Sequence, residues 1–254
     1  PLTLLAIKGD VEFAVIEMGA NHQGEIASYC EYVNPDYGLI TNIGSAHLEG
    51  FGGAEGVVKG KTELYADLID LGGKVFVNRD NDLLWQKIVF FGFEPEAIIT
   101  YGHTDSAFCK GELVPGAEFL ALKVQDEIIS TNLVGDYNFE NVLSAVCIGK
   151  YFGVHMDDIK EAIAAYVPSN NRSQRVNYNG ATVILDAYNA NPSSMAEALS
   201  NFEKQPGDNK TVVLGEMMEL GEYSREEHDK ILNAISEMKL TSRILTGGGF
   251  EFAK

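Results

Sequence analysis

Basic residues are scarce in this chain. It has 19 lysines and arginines against 37 aspartates and glutamates in 254 residues, a formal net charge of −18. That balance argues against a nucleic-acid groove, because phosphate backbones are bound by clustered Lys and Arg. It leaves room for a single nucleotide, since a few backbone amides and one metal ion hold a triphosphate. Cysteine is sparse as well. Cys30, Cys109 and Cys147 are odd in number, far apart and without a Cys-x-x-Cys pair, the pattern of reduced thiols in a cytoplasmic protein. No apolar run approaches the ~20 residues that a membrane helix needs, and no signal peptide is recognisable. Internal repeats, low-complexity tracts and long charge runs are missing too. The length suits one large domain or two modest ones with a real core. The chain opens on Pro1 instead of Met and ends at Ala253-Lys254 just after a strand-and-glycine segment, so it reads as a piece of something longer.

Two blocks near the start carry the most information. Glu17-Met-Gly-Ala-Asn-His-Gln-Gly-Glu25 follows the apolar run at residues 13–16. Thr41-Asn-Ile-Gly-Ser-Ala-His-Leu-Glu-Gly50 follows the run at 37–40. Each is expected to be a short buried strand releasing polar and small residues at its carboxyl end. Open α/β sheets bind ligands at that edge, which places Glu17 and His47 toward one crevice.

Helical spacing runs over residues 24–33 and again over 55–71, where Gly72-Gly73 stops it. Residues 37–43 and 74–78 read as strands, the latter followed by a polar turn at 79–82. Strand and helix in alternation predict an α/β fold with a parallel sheet covered on both faces. From 98 to 132 the texture changes to short alternating runs, notably 118–124 and 128–133, which predict a small antiparallel sheet. Helices are expected at 138–152 and 156–166. A proline and small polar residues at 167–171 mark a linker. Beyond it a second α/β pattern has strands at 182–186, 211–214 and 243–246 and helices at 193–202 and 224–238.

Gly60-Lys61-Thr62 looks like the tail of a Walker A loop, but Glu55 stands where the loop needs its first glycine, and the segment is helical. Asn138 and Asn141 lie three apart on one helix face, and two amides can read the edge of a nucleobase. N-cap duty for Asn138 is the plainer alternative. Arg172 follows the linker, where two units could close over a phosphate. Asp186 ends a strand.

In order along the chain, Glu17-Met-Gly-Ala-Asn-His22, Asn42-Ile-Gly-Ser-Ala-His-Leu-Glu49, Gly60-Lys-Thr-Glu-Leu64, Asn138-x-x-Asn141, Asn171-Arg-Ser-Gln174, Asp186-Ala-Tyr-Asn-Ala-Asn-Pro192 and Leu214-Gly-Glu-Met-Met-Glu-Leu-Gly221 resemble the Mur ligase family. Within it they are most similar to the branch that adds D-alanyl-D-alanine to UDP-N-acetylmuramoyl-tripeptide. The resemblance implies an ATP-dependent amide ligase of peptidoglycan precursor synthesis that works through an acyl phosphate. It implies a central ATP-binding domain at 1–167, without its phosphate loop, and a truncated Rossmann-like domain at 168–254. Carried over residue by residue, it implies Mg2+ held by Glu17, His47 and Lys61, the same three acting in catalysis, with Lys61 carbamylated. Asn138, Asn141, Arg172 and Asp186 become nucleotide contacts, and Asn42, Tyr188, Asn189 and Asn191 substrate contacts. Glu216 stands where the family pattern has aspartate, and Leu185-Asp186 where it often has paired aspartates. A monomer is expected, and a chain without the phosphate loop is expected to be inactive. Another ligase of the superfamily, whether a different Mur enzyme or a folylpolyglutamate synthase, is the neighbouring alternative. A non-catalytic nucleotide-binding or interaction module is the alternative from a different class.

Overall fold

The computed structural model describes residues 2–117, 119–169 and 171–251. A short helix, α1 (Leu2–Leu5), comes first. There follow α2 (Glu25–Val33), β1 (Tyr37–Leu39), α3 (Leu48–Phe51), α4 (Ala54–Leu71), β2 (Lys74–Asn78), α5 (Asp82–Phe91) and β3 (Ile98–Gly102). Next come β4 (Cys109–Leu113), β5 (Ala121–Val124), β6 (Glu127–Ser130), α6 (Phe139–Tyr151) and α7 (Met156–Ala165). β1 to β6 form one six-stranded sheet in sequence order. Pairing is parallel from β1 through β4 and antiparallel from β4 to β6.

Both faces of this sheet are covered, as the apolar strand β2 demands. On one side α6 lays Phe139, Val142, Leu143, Val146 and Cys147 against Phe76, Ile99, Tyr101 and Leu122. On the other, Tyr65 and Leu68 of α4 and Leu84 and Ile88 of α5 pack on Val75 and Val77. The second unit has the antiparallel hairpin β7 (Gln174–Tyr178) and β8 (Ala181–Leu185), then α8 (Pro192–Lys204), β9 (Thr211–Gly215), α9 (Ser224–Glu237) and β10 (Ser242–Thr246), with β10 parallel to β9. A third core joins the two units: Leu48, Phe51 and Val57 share it with Met195, Leu199, Met217, Leu220 and Ile231.

Three expectations are corrected. Residues 13–16 are not a buried strand: they form no regular element, and Val15 is 96% exposed. The apolar run pairs with no strand among the described residues, which leaves β1 as the edge of the sheet, and a strand exists only through its neighbour. Phe13 instead meets the Phe152 ring edge-on at 4.8 Å. Second, the region after residue 98 is no separate sheet: β3 and β4 extend the parallel sheet and β5 and β6 continue it antiparallel. Third, the strand expected at 37–43 ends at Leu39. Glu118, the start of one expected run, and Asn170, within the expected linker, lie outside the described residues.

Gly56 shows how tightly the functional elements are set. A Cβ there would overlap the Phe51 carbonyl oxygen, which belongs to the short helix α3. Gly56→Ala gains about 1 kcal/mol of helix propensity but must push two packed helices apart, which typically costs about 1–3 kcal/mol or more. The steric term wins. The variant is expected to melt at lower temperature by calorimetry, and a rise in melting temperature would contradict the packing described.

Candidate active site

The two polar blocks fold against each other. The backbone N–H groups of Asn21 and His22 donate to the Glu25 carboxylate at 2.6 and 2.9 Å, which wraps the first block around the start of α2. Those amides hold the Glu25 carboxyl below its usual range. Glu63 of α4 accepts from the N–H groups of Gly24 and Ala27, satisfying donors that a helix start leaves open. The Gln23 side chain donates to the Phe51 carbonyl at 3.0 Å, and Gly50 has no room for a Cβ beside the Asn21 carbonyl oxygen. The block that carries Glu17 is thereby seated on the block that carries His47. Glu17 itself lies in exposed chain outside any regular element.

His47 precedes α3 in left-handed conformation, φ 55°, and its Nδ1 bonds to the Glu219 carboxylate. Lys61 projects from α4, half-buried, and its Nζ donates to the Asn42 carbonyl at 2.8 Å. Burial lowers its pKa. Among the described residues no group of three or more His, Cys, Asp and Glu side chains is placed to hold a metal ion.

A second set lines the join between the units. Tyr137 sits between the Ser173 hydroxyl at 2.6 Å and Asp186, to which its hydroxyl donates at 3.2 Å. Burial pushes the Tyr137 pKa up to about 12, so this hydroxyl keeps its proton at neutral pH. Asp186 also accepts from the Ser173 N–H, and the Asn138 amide donates to the Ser173 hydroxyl and the Val134 carbonyl. Asn138 therefore makes no side-chain cap to α6; both amide hydrogens are committed and its carbonyl oxygen is left to accept. Asn141, one turn on, is exposed. The Arg172 guanidinium lies 3.8 Å from the Tyr188 ring centroid, a stacking arrangement that leaves the arginine edge for anions. Ser193 accepts from the Ser45 N–H at 3.0 Å, which fixes α8 to the second block. Asn191 caps α8 in a reciprocal capping box with Ser194, while Asn189 is exposed.

The structure thus brings together Asn42 with Lys61, Asn138 with Asp186 through Ser173 and Tyr137, and Arg172 with Tyr188. Tyr137, Ser173, Ser193, Glu63 and Glu219 are structural partners that the sequence did not single out. Ser173, Glu63 and Glu219 lie inside quoted motifs, but only the fold reveals what they meet. Among the described residues no contact joins Glu17, His47 and Lys61, while the arrangement offers amide, hydroxyl and guanidinium groups at the join between the units. Such groups suit transfer between anionic substrates.

Residues 1–149 match the Mur ligase middle domain and residues 171–252 the Mur ligase, glutamate ligase domain. The chain is 30% identical over 250 residues to the UDP-N-acetylmuramoyl-tripeptide–D-alanyl-D-alanine ligase of Bacillus subtilis (strain 168), covering 98% of this chain and 54% of that protein. The ligase of the same name from Escherichia coli (strain K12) is 32% identical over 257 residues, covering 98% and 55%. A crystal structure of MurF from Acinetobacter baumannii superposes with a TM-score of 0.82 at 28% identity, over 98% of this chain and 55% of that one. The chain spans about half the length of the curated relatives it matches. A middle-domain match over more than half of its residues, continued by the second domain in order, shows that the chain belongs to the Mur ligase family.

Proposed function

We propose that the protein carrying this chain is an ATP-dependent amide ligase joining D-alanyl-D-alanine to UDP-N-acetylmuramoyl-tripeptide, through an acyl phosphate, in the cytoplasm. The substrates follow the names of the relatives. We also propose the two-unit division at residues 167 and 168, and a monomer. Among the described residues no helix is long and apolar enough to cross a membrane.

The observation that carries the reading is Lys61. Its amine is half-buried, shifted toward the neutral form and aligned on the Asn42 carbonyl. A neutral amine is the form that attacks carbon dioxide: the Nζ lone pair forms the N–C bond and a proton leaves to water. The product is an oxygen anion on the end of a lysine, chemically fit for a hard cation. Glu17 and His47 would supply a carboxylate and an imidazole beside it, the remaining positions going to water and phosphate. Bound Mg2+ would supply charge neutralisation where an anionic carboxylate meets a phosphate.

The remaining residues have positioning roles. The Asn138 carbonyl oxygen and the Asn141 amide read the donor–acceptor edge of adenine. Arg172, held flat on Tyr188, meets phosphate at the join, and Asp186 fixes that join by accepting from Tyr137 and Ser173. Asn42, Tyr188, Asn189 and Asn191 line the substrate side.

Two measurements on the full-length protein test this. With 13C-bicarbonate, one carbamate resonance is expected that disappears in Lys61→Arg; its persistence would remove Lys61 from the reading. Asn141→Ala is expected to raise the KM for ATP about tenfold with little change in kcat, the worth of one hydrogen bond to the base. An unchanged KM would contradict the base assignment.

A further inference from the structure

The Glu219–His47 bond spans 172 positions of sequence and joins the second unit to the first. An ionised carboxylate only accepts hydrogen bonds, so Nδ1 is the donor of this bond, and in a neutral imidazole the lone pair is then on Nε2. No partner for Nε2 is found among the described residues. An imidazole that ligates a metal commonly donates its other N–H to a carboxylate, which fixes tautomer and orientation.

The surroundings of this bond are built for placement. Both residues hold left-handed backbone, φ 55° at His47 and 60° at Glu219. Such conformations are disfavoured for residues with a Cβ and persist where the surrounding structure enforces them. Met217 and Leu220, flanking Glu219, are buried in the same core as Leu48 and Phe51, which follow His47. Gly221, φ 54°, lies so close to α3 that a Cβ there would come within 3.1 Å of the Glu49 side chain. The loop at 216–221 is pinned to α3 on both sides of the carboxylate.

We propose that Glu219 is a positioning residue for the metal site: it sets His47 as an Nε2 donor, and it does so from the second unit, so that the ligand is oriented only when the two units are docked. This rests on the reading of His47 as a metal ligand. It assigns a purpose to a glutamate that would otherwise be an exposed loop residue in strained backbone.

The test uses Mn2+ alone, titrated into the full-length protein and read by the electron paramagnetic resonance of the free ion. Glu219→Asn is the informative variant, because asparagine tolerates left-handed backbone but is too short to reach His47. Glu219→Asn and Glu219→Gln are both expected to weaken Mn2+ binding about 10- to 100-fold. Met218→Ala in the same exposed loop should leave it unchanged. The 15N resonances of His47 should show the Nδ1–H form in the parent and a tautomer mixture in both variants. If His47→Ala weakens Mn2+ binding but neither Glu219 variant does, the inference is overturned while the metal reading stands. If His47→Ala has no effect either, the metal reading falls and the inference with it. Unfolding of one Glu219 variant leaves the other to decide, with the 15N signature as a separate readout.

Discussion

On the proposed function, Lys61→Arg is expected to lower turnover of the full-length protein by about 10³-fold or more while the protein stays folded. Arginine keeps a positive charge and a long apolar stem, so a lysine that only fills space or balances charge would be replaced at small cost. It cannot lose its proton at accessible pH, and it cannot carry a carbamate. A group acting only where charge develops in the transition state is worth about 10²–10³ in rate, and loss of a metal-ordering anion adds to this. Burial already moves the lysine toward the neutral amine, so the sign is fixed: more of the reactive form exists near neutral pH than for an exposed lysine. Steady-state kinetics beside a circular-dichroism melt checks the prediction. An arginine variant with a third of the parent rate would show that Lys61 is a structural donor to Asn42 and no more.

Phe51→Ala is expected to cost about 3–5 kcal/mol, the usual range for removing a buried aromatic side chain. Phe51 is 3% exposed and belongs to the core shared by α3, α4, α8 and α9. Its ring lies over Gly60, where a Cβ would overlap it, so glycine at 60 and phenylalanine at 51 are matched surfaces. The backbone can do little to close the gap, because the Phe51 carbonyl is tied to Gln23 and pressed against Gly56. Since the core belongs to both units, the loss should lower one cooperative transition by roughly 10 °C in a protein of this size. Two separated transitions, with the second unit melting alone at its parent temperature, would contradict a shared core.

The sequence revealed the helices well. α4, α6, α7, α8 and α9 all lay within a few residues of their expected places, because period and glycine stops act locally. The strands at 74–78 and 211–214 were equally legible as short apolar runs between turns. The misses have identifiable causes. The hairpin of β7 and β8 turns at Asn179-Gly180, with φ 50° and 83°, and that dipeptide is itself a strong hairpin signal, absent from the strand pattern expected there. α5 carries its own N-cap, with the Asn81 side chain accepting from the Leu84 N–H, but the polar residues there looked like a turn. Residues 13–16 had a strand's composition without a strand's partner, and pairing is not written in one segment.

For the candidate site, the motif residues stand out as short blocks of small and polar residues, even where, as at Glu17, no strand delivers them. What joins them does not stand out. Glu219 and His47 meet only after two units dock, and the link of Tyr137, Ser173 and Asp186 crosses the linker. A pair separated by most of the chain leaves no spacing to read.

The most direct test of the central claim is product analysis with the full-length protein, ATP, UDP-N-acetylmuramoyl-tripeptide and D-alanyl-D-alanine. Chromatography should show one ADP and one phosphate released for every amide bond formed, with no product when single amino acids replace the dipeptide. Release of AMP and pyrophosphate, or equal use of a single amino acid, would contradict it.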